Sequence, residues 1–182
     1  WFSWGGNTLQ TNLLPNPLVY LRRGQPKHAI RAFYNSLATN VYADVRTFCE
    51  FRDKYSTFGP GHGPLFKPPD EAAFITWFRH LLICENGRDL EVLPGVPIEW
   101  LAPGQRITIR QAPTWFGPVD LLVETTAEQM NIQLTPPTRN PPDVVRLHLR
   151  RPEQIRTVTV NGQTVDPESL DRKKPVLLMF QR

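Results

Sequence analysis

The sequence holds only two cysteines, Cys49 and Cys84, and two methionines, Met130 and Met179. Two cysteines are too few for a disulfide-stapled scaffold, and no zinc-type spacing accompanies them. They read as a single disulfide or as two buried thiols, and the redox compartment stays open with that choice. No apolar run approaches the ~18 residues of a membrane span, and nothing has the layout of a signal peptide. No membrane partner is therefore expected. Beginning at Trp1 without an initiator methionine, the sequence reads as a processed chain or a fragment.

Charge of one sign is scarce as well. The formal net charge is +4, and the excess is spread along the chain. A nucleic-acid footprint would be a concentrated basic stripe. Arg146, Arg150 and Arg151, near one strand, and Arg172-Lys-Lys174, in a turn, read instead as a solvated face. Nucleic acid is not an expected partner. No Ser-His-Asp order, phosphate-cradling glycine loop or metal cluster stands out, so no cofactor is expected.

What remains is an ordinary globular composition. With 182 residues, 40% hydrophobic and 21% charged, the chain is long enough to bury a real core. Nineteen prolines, about twice the usual share, cluster at 60–69, 94–103 and 136–142 as loop punctuation.

The pattern changes near residue 90. Before it, a short helix around Pro17–Arg23 is followed by a longer one from Lys27 to about Ala43. Ile30, Phe33, Tyr34, Leu37 and Val41 form the apolar stripe of that second helix. A third helix begins after Pro68-Pro69, with Asp70 as N-cap and Glu71 in its first turn. Its stripe is Phe74, Ile75, Phe78, Leu81 and Leu82, and Asn86-Gly87 ends it. Between the two long helices runs a Gly/Pro-rich connection, 47–69, of a length that compact domains usually keep for function. After the seam come six strand candidates: 107–110, 119–124, 131–134, 144–149, 155–160 and 176–180. Asn161-Gly162, between Val160 and Gln163, supplies the positive-φ positions of a tight hairpin. Short, regular strands of this kind indicate an antiparallel sandwich. The expected division is a helical segment, 1–89, and a strand segment, 90–182.

These segments carry a family likeness. Leu21-Arg-Arg-Gly24, Ala32-Phe-Tyr-Asn-Ser36, Cys49-Glu50, Asp70-Glu-Ala72 and Leu93-Pro-Gly-Val-Pro97 resemble the end of a bacterial six-hairpin (α/α)6 glycosidase domain. Trp100-Leu101, Ile107-Thr-Ile-Arg110, Ala112-Pro-Thr-Trp-Phe-Gly117 and Val158-Thr-Val-Asn-Gly162 resemble the β-sandwich that closes many such enzymes. The likeness covers nearly the whole chain. It implies an α+β fold: the last helical hairpins of an (α/α)6 toroid followed by an antiparallel β-sandwich. A toroid needs about twelve helices, so the resemblance also implies further helices, from upstream sequence or from another chain. The implied substrate is a carbohydrate, and this chain alone is expected to be inactive. Localisation is open, and secretion or a periplasmic site is compatible with such an enzyme.

Glycoside hydrolysis usually needs a pair of carboxyl groups acting as acid and as base or nucleophile. Glu50 is the first candidate, because it stands where the helix gives way to the long loop, and the resemblance puts such loops at the mouth of the toroid. Pairing with Arg46 or Arg52 would explain it equally well. Glu71 is the second candidate, although a place in a helix's first turn needs no catalytic cause. In the loop, His62 has the chemistry to bond sugar hydroxyls or orient a carboxylate, and Lys67 is a further substrate-binding candidate or a surface charge. Trp1 and Trp4 beside Gly5-Gly6 suit a stacking platform for a pyranose ring, or are core residues. Trp77, Trp100 and Trp115 read as packing between the two segments. The competing reading is a non-catalytic module that binds glycans or a partner chain. Apolar helix stripes left uncovered would favour the enzyme fragment, and a closed helical cap would favour the module.

Overall fold

The computed structural model describes residues 17–42, 44–52, 61–62, 67–149, 157–160, 163–165 and 176–178. The chain is α+β and divides into two compact units, Trp1–Leu82 and Ile83–Arg182.

The first unit carries three helices among the described residues: α1 (Pro17–Arg22), α2 (Pro26–Asn40) and α3 (Pro68–Leu82). Proline opens each of them, where a helix leaves its first N–H groups unbonded in any case. Ala29 and Phe33 of α2 pack with Trp77 and Leu81 of α3, and Tyr20, Leu21, Ala73 and Phe74 close around them. Phe33 stacks on Phe74 with ring centroids 4.5 Å apart. Trp77 therefore belongs to this core and not to a seam between segments.

Helical period was read correctly here, but the faces were offset. The buried face of α2 is Ala29, Phe33, Ser36 and Asn40, while Tyr34 and Leu37 are exposed. On α3 the buried positions are Asp70, Trp77, Leu81 and Leu82, and Ile75 and Phe78 are exposed. Polar residues share this buried face. The Ser36 hydroxyl donates to the Ala32 carbonyl at 3.0 Å, and the Asn40 carbonyl accepts the Cys49 N–H at 2.8 Å.

Helix α2 stops at Asn40, not Ala43, because the chain turns directly into a strand. Strands β1 (Val41–Tyr42) and β2 (Thr47–Phe48) form an antiparallel pair, as do β3 (Phe51–Arg52) and β4 (Gly61–His62). The 47–69 connection is thus not devoid of regular structure.

In the second unit, β5 (Ile83–Asn86) and β6 (Asp89–Val92) form a hairpin. Gly87, with φ +62, stands at the first of its two turn positions, as a type II′ turn takes. Asn86-Gly87 is therefore a hairpin turn rather than the end of α3, which stops at Leu82. The hairpin belongs wholly to the second unit, and the division falls between Leu82 and Ile83. After a 3-10 turn, Ile98–Leu101, come β7 (Arg106–Ala112), β8 (Val119–Thr125) and β9 (Met130–Thr135), paired as an antiparallel meander. Alternation along β8 is regular: Val119, Leu121 and Val123 are buried, with Asp120, Leu122 and Glu124 between them.

Strand β10 (Val144–Leu147) then joins β6 in parallel, with Val145 opposite Leu90, both fully buried. The last strands are β11 (Val158–Val160), β12 (Gln163–Val165) and β13 (Val176–Leu178), the last pairing antiparallel with β10. Val160 pairs with Gln163, and the expected Asn161-Gly162 turn lies outside the described residues. The sheet β13-β10-β6-β5 is accordingly mixed, which departs from the purely antiparallel expectation. Arg88 and Asp143 flank the parallel pair with two hydrogen bonds, at 2.5 and 2.8 Å. Both are exposed, so the pair contributes little stability. Among the described residues no helix is long and apolar enough to cross a membrane.

Gly117, between β7 and β8, has φ +119, and a Cβ there would lie 3.2 Å from the Arg139 Cβ. Gly117→Ala is expected to cost about 1–3 kcal/mol, from backbone strain and a contact that no side-chain rotation relieves. Equilibrium urea unfolding checks this, and an unchanged midpoint would refute it.

Candidate functional site

The sequence after α2 folds back onto the start of α3. The β1–β2 turn is closed by the Arg46 N–H donating to the Tyr42 carbonyl at 2.7 Å, with Arg46 at φ 58. Thr47, Phe48 and Cys49 are buried behind it, so Glu50 is the first residue to regain partial exposure. Phe48 packs its ring against Phe74 at 5.0 Å, and its N–H donates to Glu71 Oε1 at 3.5 Å.

At the start of α3 the Lys67 carbonyl accepts the N–H groups of Asp70 and Glu71, at 3.0 and 3.4 Å. Lys67 therefore caps the helix through its backbone. Asp70 is the third helical residue rather than the N-cap, and its side chain is fully buried. The Lys67 ammonium lies 2.8 Å from Glu50 Oε1 and 3.7 Å from Asp70 Oδ2. With only 14% of its side chain exposed, Lys67 is no loose surface charge. It joins the mostly buried end of the cluster to Glu50, which is 35% exposed.

Glu50, Lys67 and Asp70 thus converge on one place, with Glu71 next along α3. Glu50, 35% exposed, is open to a bound molecule and pairs with Lys67. Glu71 spends an oxygen on the Phe48 N–H. His62 lies in β4 opposite Phe51, the residue after Glu50. Trp1 and Trp4 lie outside the described residues. Cys49 and Cys84 are both buried, and no disulfide joins them. Among the described residues, no group of three or more His, Cys, Asp or Glu side chains is placed to hold a metal ion. Sequence reasoning missed Asp70 as a buried partner of Lys67. The signal was their i, i+3 spacing across a helix start.

A second polar cluster spans the parallel pair. Arg146, expected on a solvated face, donates to Asp89 Oδ2 at 3.1 and 2.7 Å and lies 3.7 Å from Glu91 Oε1. His148 Nε2 meets Glu91 Oε2, and the Asn86 amide donates to Glu91 Oε1 at 3.3 Å. Burial pushes the Glu91 carboxyl upward, but His148, Asn86 and Arg146 outweigh it and hold the group below its ordinary value of 4.5. Because the folded value lies below the unfolded one, the carboxylate contributes stability above about pH 4.5. That contribution is lost as pH falls through the folded value. Urea midpoints at about pH 6 and about pH 3 are expected to fall less for Glu91→Gln than for the native chain. Equal drops in the two proteins would remove Glu91 as a source of acid sensitivity.

Compared with known proteins, the chain matches no family model, no curated protein and no solved structure.

Proposed function

We propose that this chain is the C-terminal portion of a carbohydrate-active enzyme, a glycoside hydrolase of the six-hairpin (α/α)6 kind. Helices α1–α3 belong to the end of its toroid, and the strands after Ile83 form the closing β-sandwich. The observation that carries this reading is the state of the two long helices. Each buries one face in the shared core yet keeps large apolar side chains in solvent: Tyr34 and Leu37 on α2, Ile75 and Phe78 on α3, the last three 37%, 67% and 41% exposed. A helix apolar on two sides needs neighbours on two sides. A toroid, where every hairpin packs against the next, supplies them. Those neighbours come from upstream sequence or another chain.

Glu50 then serves as one of the paired carboxyl groups at the mouth of the toroid. Lys67 fixes its direction, and Glu71 is the second candidate. The substrate is a glycan, and a partner carboxylate outside this chain completes the pair if Glu71 is structural. The test is release of new reducing ends from a panel of polysaccharides by the protein carrying its upstream sequence. Failure to cleave any glycan, with the protein folded, would sink the enzymatic reading. The alternative, a non-catalytic glycan-binding module, is favoured by one observation, the exposed Trp115 in the strand unit.

A further inference from the structure

We infer that Trp115 is a carbohydrate-stacking platform built into the β7–β8 connection of the second unit. The indole is 68% exposed, the most exposed of the large apolar side chains among the described residues. Its backbone, in contrast, is tightly held. The Trp115 N–H donates to Oε1 of Glu85, a carboxylate only 7% exposed, at 3.3 Å. Thr114 and Gly117 exchange backbone hydrogen bonds at 3.2 and 3.1 Å, and the Thr114 hydroxyl accepts the Phe116 N–H. The next ring, Phe116, is buried as the anchor, and its carbonyl accepts the Asn140 N–H at 3.0 Å.

The strand entering this turn is shaped for the same end. Ile109 pairs with Leu121 and Ala112 with Val119, so β7 carries one extra residue, a bulge. Gln111 sits there at φ 50, its backbone and side-chain N–H groups both bonded to the Asp120 carboxylate, at 2.8 and 3.0 Å. Bulges of this kind re-aim neighbouring side chains. The result is one large aromatic side chain carried in solvent on a held backbone, with little main chain left to order on binding.

The chemistry of the border selects the ligand. Gln111, Arg139 and Asn140 are exposed polar residues around the turn. A protein hot spot sits at the centre of a packed, desolvated patch. A pyranose ring asks for the arrangement seen here: an aromatic face for its C–H groups and polar side chains for its hydroxyls.

This inference rests on the carbohydrate reading above, and the experiment separates the two. The full chain, Trp115→Ala and Trp115→Tyr are titrated calorimetrically with cellohexaose, xylohexaose and maltohexaose, beside the cleavage assay. At least one glycan is expected to bind, about tenfold or more weakly to Trp115→Ala, with Trp115→Tyr retaining most affinity and thermal unfolding unchanged in both. No binding by the native chain to any of the three, or equal affinity in Trp115→Ala, overturns the site. So does a lowered melting temperature with unchanged binding, which would make Trp115 a packing residue. Cleavage without Trp115-dependent binding removes this site alone. Trp115-dependent binding without cleavage removes the enzymatic reading and leaves the site standing.

Discussion

Glu50→Gln is expected to lower turnover on a cleaved glycan by about a hundred- to ten-thousandfold, the range that a positioned acid or base contributes. Glutamine keeps the size of the side chain and an acceptor for the Lys67 ammonium, 2.8 Å away in the native chain. The fold should therefore survive, and the loss reports proton transfer. A fall in kcat with KM nearly constant marks a role in the transition state, whereas a rise in KM alone marks binding. Undiminished kcat in folded Glu50→Gln would remove the residue from the chemistry. Glu71→Gln is the matched comparison. Its remaining carbonyl oxygen still accepts the Phe48 N–H, so any lost turnover is chemical and not structural.

Phe33→Ala is expected to destabilise the helical unit by about 3–5 kcal/mol, the usual cost of deleting a buried ring and leaving a cavity. Phe33 is 3% exposed, stacks on Phe74 and lies within the cluster of Ala29, Trp77 and Leu81. It also meets Tyr34 edge-on at 5.4 Å and Phe78 at 6.2 Å, so the cavity would be walled by rings with limited freedom to close. Far-ultraviolet circular dichroism during urea unfolding follows the helices. A loss below about 1 kcal/mol would mean that the core collapses around the gap. Phe33→Leu refills part of the volume and is expected to lose less.

The same residues mark where sequence pattern stops being informative. In α2 and α3 the helical period was visible, but the inward face was misassigned: Tyr34, Leu37, Ile75 and Phe78 were placed on it, while the buried Ala29 and Trp77 were not. Ser36, Asn40 and Asp70 are buried, while Ile75 is largely in solvent. A buried polar residue is invisible to a hydrophobic pattern, which registers only where apolar residues recur. The end of α3 was set too late for a related reason. Leu81-Leu82-Ile83-Cys84 is one apolar run, and a short run has no period to separate a helix end from a buried strand. At the candidate site, Glu50 and Glu71 could be singled out from chain position, but the joining of Glu50 to Asp70 through Lys67 could not. It depends on the loop folding back across α3.

Several features followed from the sequence alone because their causes are local. Helix starts beside Pro26 and Pro68-Pro69 follow from proline's fixed φ and missing N–H, although each helix begins on its first proline, ahead of the expected Lys27 and Asp70, and β11 and β12 pair in the register expected of their hairpin. Burial of Val119, Leu121 and Val123 follows from alternation along one strand. Other features were decided only by tertiary structure. Strand β6 pairs in parallel with β10, with Arg146 and His148 bonded 57 residues back to Asp89 and Glu91. Trp77 is enclosed while Trp115 stands in solvent. Such pairings join residues far apart in the chain, and their strength depends on geometry and burial that no stretch of sequence contains.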